Sequence, residues 1–262
     1  MPDELKPSGT GDLLGLAPYG EAIKLVADRT LTGLGLLLSW ICKPASEELG
    51  LLFRDKVRIW RCSNAEKIAT ETLRLLEEGG HAPGETAPPQ LVHAVLEHGS
   101  WTDDDLLQRL WAGILASSCT ADGKDMRGHK FVDLLQRLSP SQARLMKHTC
   151  DRSVKRLFPS QLLMADAYIV SLDEIRRVTG LETLEDLDAD LDHLRHLGLL
   201  NDDGGISIDS DGTTANIAPS GLGLYMFARC SGAQSAASFY KDVLTVEAAQ
   251  QAVAADGAAP RR

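Results

Sequence analysis

Long apolar runs are scarce in this sequence. The most apolar stretch, Leu31 to Cys42, is too short for a membrane span, and the opening Met1-Pro2-Asp3-Glu4 carries acid where a secretory leader would carry base. Both point to a cytoplasmic protein. The five cysteines, Cys42, Cys62, Cys119, Cys150 and Cys230, are scattered and include no Cys-x-x-Cys pair. That spacing leaves out a zinc knuckle or a dithiol centre, so all five are read as reduced, mostly buried thiols. Basic charge is in deficit, with 27 Lys and Arg against 37 Asp and Glu and a net charge of −10. A whole-surface attraction to nucleic acid or anionic lipid is thereby excluded, although local basic faces are not.

Sequence motifs of common chemistries are missing too. The chain has no Gly-x-x-x-x-Gly-Lys-Ser/Thr loop, no Gly-x-Ser-x-Gly elbow and no His-Glu-x-x-His, and its two Gly-x-Gly pairs lack the rest of a dinucleotide fingerprint. Ser238-Phe239-Tyr240-Lys241 fits Ser-x-x-Lys, a pattern loose enough to arise by chance. His193 and His196 share a helix with Asp190 and Asp192, yet no third His or Cys stands at a metal-binding spacing, so a solvated acidic face is the simpler reading. His93, His98 and His129 read as surface, core or capping residues rather than general bases. The expectation is a protein without catalytic residues, cofactor or metal.

What is present is helical periodicity. Residues 1–20, rich in Gly, Pro and small polar residues, read as a mobile arm. A helical body is expected over 21–160, with a linker at 80–89. Within it, one helix from about Ala45 ends near Arg61, and Ser63-Asn64-Ala65-Glu66 has the spacing of a capping box that restarts the chain. Thr102-Asp103-Asp104-Asp105 places a Thr cap and three acids at the positive end of the next dipole, ahead of Leu106, Leu107, Leu110, Trp111, Ile114 and Leu115. Ser139-Pro140-Ser141-Gln142 supplies a cap, a first-turn proline and a reciprocal Gln. Residues 165–232 then read as two short helices followed by an antiparallel hairpin at 206–217, the order of a winged helix. An Ala-rich tail, 233–262, is expected to hold one helix around Phe239 to Ala254 and to be disordered from Asp256. The fold class is mainly α, a multi-helix body followed by a winged-helix-like α+β part.

Two features remain as interaction candidates. Arg54, Arg58 and Arg61 fall at i, i+4 and i+7 and line one stripe, either a solvated face or a seat for an anionic partner. The segment Leu31 to Ile41 is apolar almost all round, so Leu34, Leu37, Leu38 and Ile41 must be covered by the body, by a second subunit or by a membrane surface. Duplex DNA is not expected as a partner of the winged helix, because residues 171–212 hold twelve acids against Arg176, Arg177 and Arg195.

The run Asp104-Asp105-Leu106 through Leu110-Trp111-Ala112-Gly113-Ile114-Leu115-Ala116-Ser117-Ser118, followed by Phe131, Leu134-Leu135, Leu138-Ser139-Pro140 and Ala143, resembles the abortive infection alpha family. Leu194, Leu197-Gly198-Leu199-Leu200, Pro219-Ser220-Gly221, Leu224, Phe227 and Cys230 resemble that family's end, and Pro44 with Gly50 its N-terminal helix. Trp111 stands where the family more usually has Phe, and Ala218 where it has Thr. The resemblance, over about residues 40 to 230, implies a bacterial protein associated with phage defence and carries no catalytic residues. Two function classes are thus expected: a non-enzymatic defence protein acting through a protein partner, a homo-oligomer or a membrane surface, or a regulator that binds nucleic acid through the arginine stripe.

Replacing Leu34 and Leu38 together by Asp separates the readings of the 31–41 segment. A core helix makes the variant lose cooperative unfolding by circular dichroism, whereas an interface leaves it folded and monomeric or stripped of defence.

Overall fold

A computed structural model describes residues 51–158, 162–209, 212–241 and 244–246. Residues 1–20, expected as an arm, the apolar segment with Leu34, Leu37, Leu38 and Ile41, and the tail beyond 246 lie outside the described residues. The described chain is mainly α-helical. It runs α1 (Leu51–Glu78), α2 (Pro89–Gly99), α3 (Asp105–Ser118), α4 (His129–Leu135), α5 (Pro140–Arg152), β1 (Lys155–Leu157), β2 (Leu163–Ala165), β3 (Ile169–Ser171), α6 (Leu172–Thr179), α7 (Leu184–His196), β4 (Gly205–Asp209), β5 (Gly212–Asn216), α8 (Gly221–Cys230), α9 (Ala236–Phe239) and β6 (Leu244–Val246).

Helix α3 is the hub. Asp104 caps it by accepting the Leu107 N–H at 3.0 Å, with Asp105 in its first turn, so the cap lies two residues after the Thr102 expected from sequence. Every residue from Leu110 to Ser118 is buried, and the helix packs on α1, α2, α4, α5 and α8. A helix apolar on all sides needs such a wrapping. The closest of these contacts passes through Gly113, where an added Cβ would stand 1.7 Å from the Cys230 carbonyl oxygen of α8. Only a residue without a side chain lets the two backbones meet there. A second close approach, Gly223 against the Leu199 carbonyl at 2.2 Å from a Cβ, seats the start of α8 on the turn after α7.

Two expectations along the body are corrected. Helix α1 runs unbroken through Ser63-Asn64-Ala65-Glu66 instead of restarting there. Asn64 is buried inside the helix, where its amide donates to the Ser100 carbonyl at 3.1 Å and its side-chain oxygen accepts from Gln108 at 3.1 Å, so these tertiary partners take the place of a cap. Cys62 is disulfide-bonded rather than reduced, whereas Cys119, Cys150 and Cys230 are free and buried as expected. The Ser139 cap is confirmed in full, with both reciprocal bonds of a capping box between Ser139 and Gln142.

The expected hairpin forms between β4 and β5, with Ile206 opposite Ala215 and Ser207 opposite Thr214. Short β3, absent from the sequence reading, pairs on the far side of β5 to give the order β3-β5-β4, with α6 and α7 between β3 and β4 in the chain. Val170 and Ala215 lie on the buried face of this sheet. A second small sheet has the order β2-β1-β6, antiparallel between β1 and β2 and parallel between β1 and β6. Where a helix was expected from Phe239 onward, the chain ends a four-residue helix and enters β6, because pairing along β1 supplies bonds that a lone tail helix would lack. Among the described residues, no helix is long and apolar enough to cross a membrane.

One buried ion pair ties α8 to the loop after α3. Arg229 is fully buried and donates to Ser118 Oγ at 3.0 Å and to Asp125 Oδ2 at 3.1 Å. Asp125 also takes a bidentate pair from Arg127, at 2.9 and 2.8 Å. Burial pushes the Asp125 carboxyl up, but the Arg127 and Arg229 contacts more than reverse this and hold it at about 2.

Trp111→Ala should lower unfolding free energy by about 3 to 5 kcal/mol through the cavity it leaves, and Gly113→Ala by about 3 kcal/mol through overpacking; denaturant midpoints read both. Since the Asp125 carboxyl is held below its ordinary range, its stabilisation is present above about pH 4 and is lost as pH falls toward 2. Asp125→Asn should therefore melt below wild type at neutral pH, with the gap in Tm closing as the scans approach pH 2.

Candidate interaction surface

The described part of the arginine stripe is a built site, though not a free basic face. Arg54 and Arg58 lie on α1, and the placement of their side chains is outside the described residues. Arg61 is held from three sides: Nε donates to Ser100 Oγ at 3.0 Å, and the terminal amine donates to Glu97 Oε2 at 3.0 Å and to the Glu97 carbonyl at 3.2 Å. Its guanidinium carbon also stands 4.3 Å from the centre of the Trp101 ring. This geometry stacks the cation on an aromatic face while a carboxylate neutralises it. Arg61 is thus committed within the fold.

What it supports is an aromatic surface. Trp60 meets Trp101 edge to face with centroids 6.3 Å apart, and Trp101 is 54% exposed. Beneath them Asn64 and Gln108, both buried, fix the turn that carries Trp101: Gln108 donates to the Thr102 carbonyl at 2.9 Å as well as to Asn64. Every polar group under the patch is paired, so the indole is presented from a rigid turn. Sequence reading missed Trp101. Its signal was a large aromatic set in a polar turn between Gly99 and Thr102, a place where a core residue has no reason to be. Trp60 is half-buried.

The other candidates are structural. Gln142 donates to Asp190 Oδ1 at 2.8 Å, Ser141 Oγ to Asp190 Oδ2 at 2.6 Å, and His193 Nδ1 lies 3.2 Å from Gln142 Oε1, so this acid and this histidine join α7 to the start of α5. Among the described residues, no three His, Cys, Asp or Glu side chains gather as a metal site. Ser238 donates to the Ser235 carbonyl at 2.9 Å and is exposed like Lys241, so the Ser-x-x-Lys pair shares no enclosed site. On α7, Glu185, Asp186, Asp188 and Asp192 are exposed, while Arg195 is taken by Asp192 and by the Gly204 carbonyl at 2.6 Å. A polar groove of about 400 Å³ beside it is lined by Asp188, Arg195, Asp203, Ser207, Thr214 and Asn216. The surface of α7 thus presents carboxylates with their one arginine neutralised.

A comparison with known families finds that the family model described as abortive infection alpha matches residues 63–216, from the middle of α1 to the end of β5. No curated protein and no solved structure matches. The exposed acids of α7 make a direct expectation for the whole protein: titration with duplex DNA at physiological salt should give no binding through this face. Micromolar affinity that weakens with added salt and is lost on substituting Arg195 would overturn it.

Proposed function

Because the chain belongs to the abortive infection alpha family, we propose that it serves bacterial anti-phage defence in the cytoplasm by engaging a protein partner, without enzymatic chemistry. A role in abortive infection is what the family as a whole supports. The observation that carries the finer reading is the exposed Trp101, packed against Trp60 and stacked on Arg61. Tryptophan and arginine dominate the energetic centres of protein interfaces, since a rigid aromatic buries much area at small entropic cost. Residues 165–232, read as a winged helix, serve in this proposal as a protein-contacting module. The same observation weighs against phosphate contact at this end of α1, because Arg61 is already paired with Glu97.

Trp101→Ala tests the reading. Its indole is half in water, so the variant should fold with a Tm close to wild type. Loss of a central interface residue is worth about 2 kcal/mol or more, which is about 30-fold in affinity. Phage plaquing on cells expressing the variant should rise toward that on cells without the protein. Full protection by a stably folded Trp101→Ala protein would show that the patch is not the contact.

A further inference from the structure

Lys155 sits in the middle strand of the sheet β2-β1-β6 and is 1% exposed. Lysine is almost never buried without a carboxylate, yet among the described residues no acid lies within ion-pair distance of this one. Its ammonium donates to the Ser153 carbonyl at 2.7 Å and stands 5.1 Å from the centre of the Tyr240 ring. The groups that face it are Cys150 and Asp151 of α5 and Tyr240; Asp151 is itself paired with Lys147. Desolvation holds the lysine below its ordinary range, and the nearby Cys150 and Asp151 offset this only in part.

Lys155 pairs with Leu244 of β6 within the sheet, and Tyr240 lies over its charge. Tyr240, 3% exposed, follows the four-residue helix α9, and its hydroxyl donates to the Leu224 carbonyl at 3.4 Å. Phe239 beside it is 38% exposed. Ser235 to Tyr240 thus cross the protein as a short strap, held by the Tyr240 ring over Lys155, by Phe239 edge to face with Phe227 at 6.3 Å and by Ala236 against the core, and the Tyr240 ring lies on a cation short of counter-charge.

We propose that Ser235 to Tyr240 form a releasable strap, sprung by the buried charge of Lys155, whose opening hydrates Lys155 and uncovers Cys150 while the helical body stays folded. Closing the strap desolvates an ammonium, and lifting Tyr240 returns it to water. The resting state is closed, and the desolvation of the ammonium narrows its free-energy gap to the open one, in the direction a switch that a partner can bias requires. The cation–π contact and the Ser153 bond hold the closed state, and the desolvation of the amine opposes it.

The three free buried thiols report on this directly. Cys150 is hydrogen-bonded to Tyr240, whereas Cys119 caps the end of α3 and Cys230 is the last residue of α8. In the full chain under native conditions, iodoacetamide labelling followed by peptide mass spectrometry should modify Cys150 at least 10-fold faster than Cys119 and Cys230. Tyr240→Ala should speed Cys150 a further 10-fold, and Tyr240→Phe, which keeps the ring, should stay within a few-fold of wild type. Lys155→Met, which keeps the length and removes the charge, should slow Cys150 at least 3-fold with Cys119 and Cys230 unchanged. Equal labelling of the three thiols in wild type and in Lys155→Met alike would mean that exposure comes from global unfolding, and the proposal would fall. Faster Cys150 labelling in Lys155→Met would equally overturn it, since the charge would then be a fastening rather than a spring.

Discussion

The structure depends on the burial of α3 on every side. A fourteen-residue helix with eleven buried positions cannot stand alone, and five neighbouring helices supply its cover. Their angles and distances are set by what α3 presents to each of them. Toward α8 it presents Gly113, and the backbones touch; toward α1 and α2 it presents Trp111, so close to Gly99 that a Cβ on that glycine would stand 2.9 Å from the indole. The large and the absent side chain stand two positions apart, so one helix holds one neighbour far and another near. This is packing complementarity of the kind that fixes a single arrangement rather than a family of loose ones.

Buried polar groups add register to this apolar frame. Asn64 and Gln108 bond to each other and to the turn at Ser100 and Thr102, which locks α1 against α3 along their length. Arg229 joins α8 to Ser118 and Asp125, and Gln142 joins α5 to α7. In each case a sliding motion of one helix would leave a desolvated polar atom unpaired, a penalty of about 1 to 3 kcal/mol. The helical body and the β3-β5-β4 region are thereby fastened by the same logic at different points.

Charge is distributed unevenly over this frame, and the distribution bears on function. The exposed acids of α7 repel polyanions, and the cations near them are committed to carboxylates or carbonyls. The opposite chemistry appears at Trp101, where a cation serves as the seat of an aromatic ring. The exposed face there is the Trp101 ring, set on paired polar groups. The strap over Lys155 lies on another element of the fold, so contact and release can be altered separately.

Local patterns were legible where local physics decides. Ser139-Pro140-Ser141-Gln142 closes its capping box with its own side chains, and the pairing of β4 with β5 follows from the alternation of their residues. The periodic Leu and Trp of α3 marked it as a buried helix, and the family resemblance lay in those same residues. Elsewhere the local signal was overruled. Ser63-Asn64-Ala65-Glu66 has the form of a cap, but Gln108 and Ser100, some forty residues away, bond Asn64 within a continuous helix. Residues 244–246 pair with β1 although the preceding sequence favours helix, since the bonding partner lies about ninety residues earlier. Arg61 read as one of three equivalent cations, and only the arrival of Glu97 and Trp101 from α2 and the turn after it made it a support for an aromatic surface. The sequence by itself determined the helical class, the Ser139 capping box, the acidic balance and the family, because these rest on spacing and composition within a few turns of chain. Tertiary structure decided which polar residues are satisfied, which cations are free and which aromatic faces water, because each depends on atoms that only folding brings within hydrogen-bonding distance.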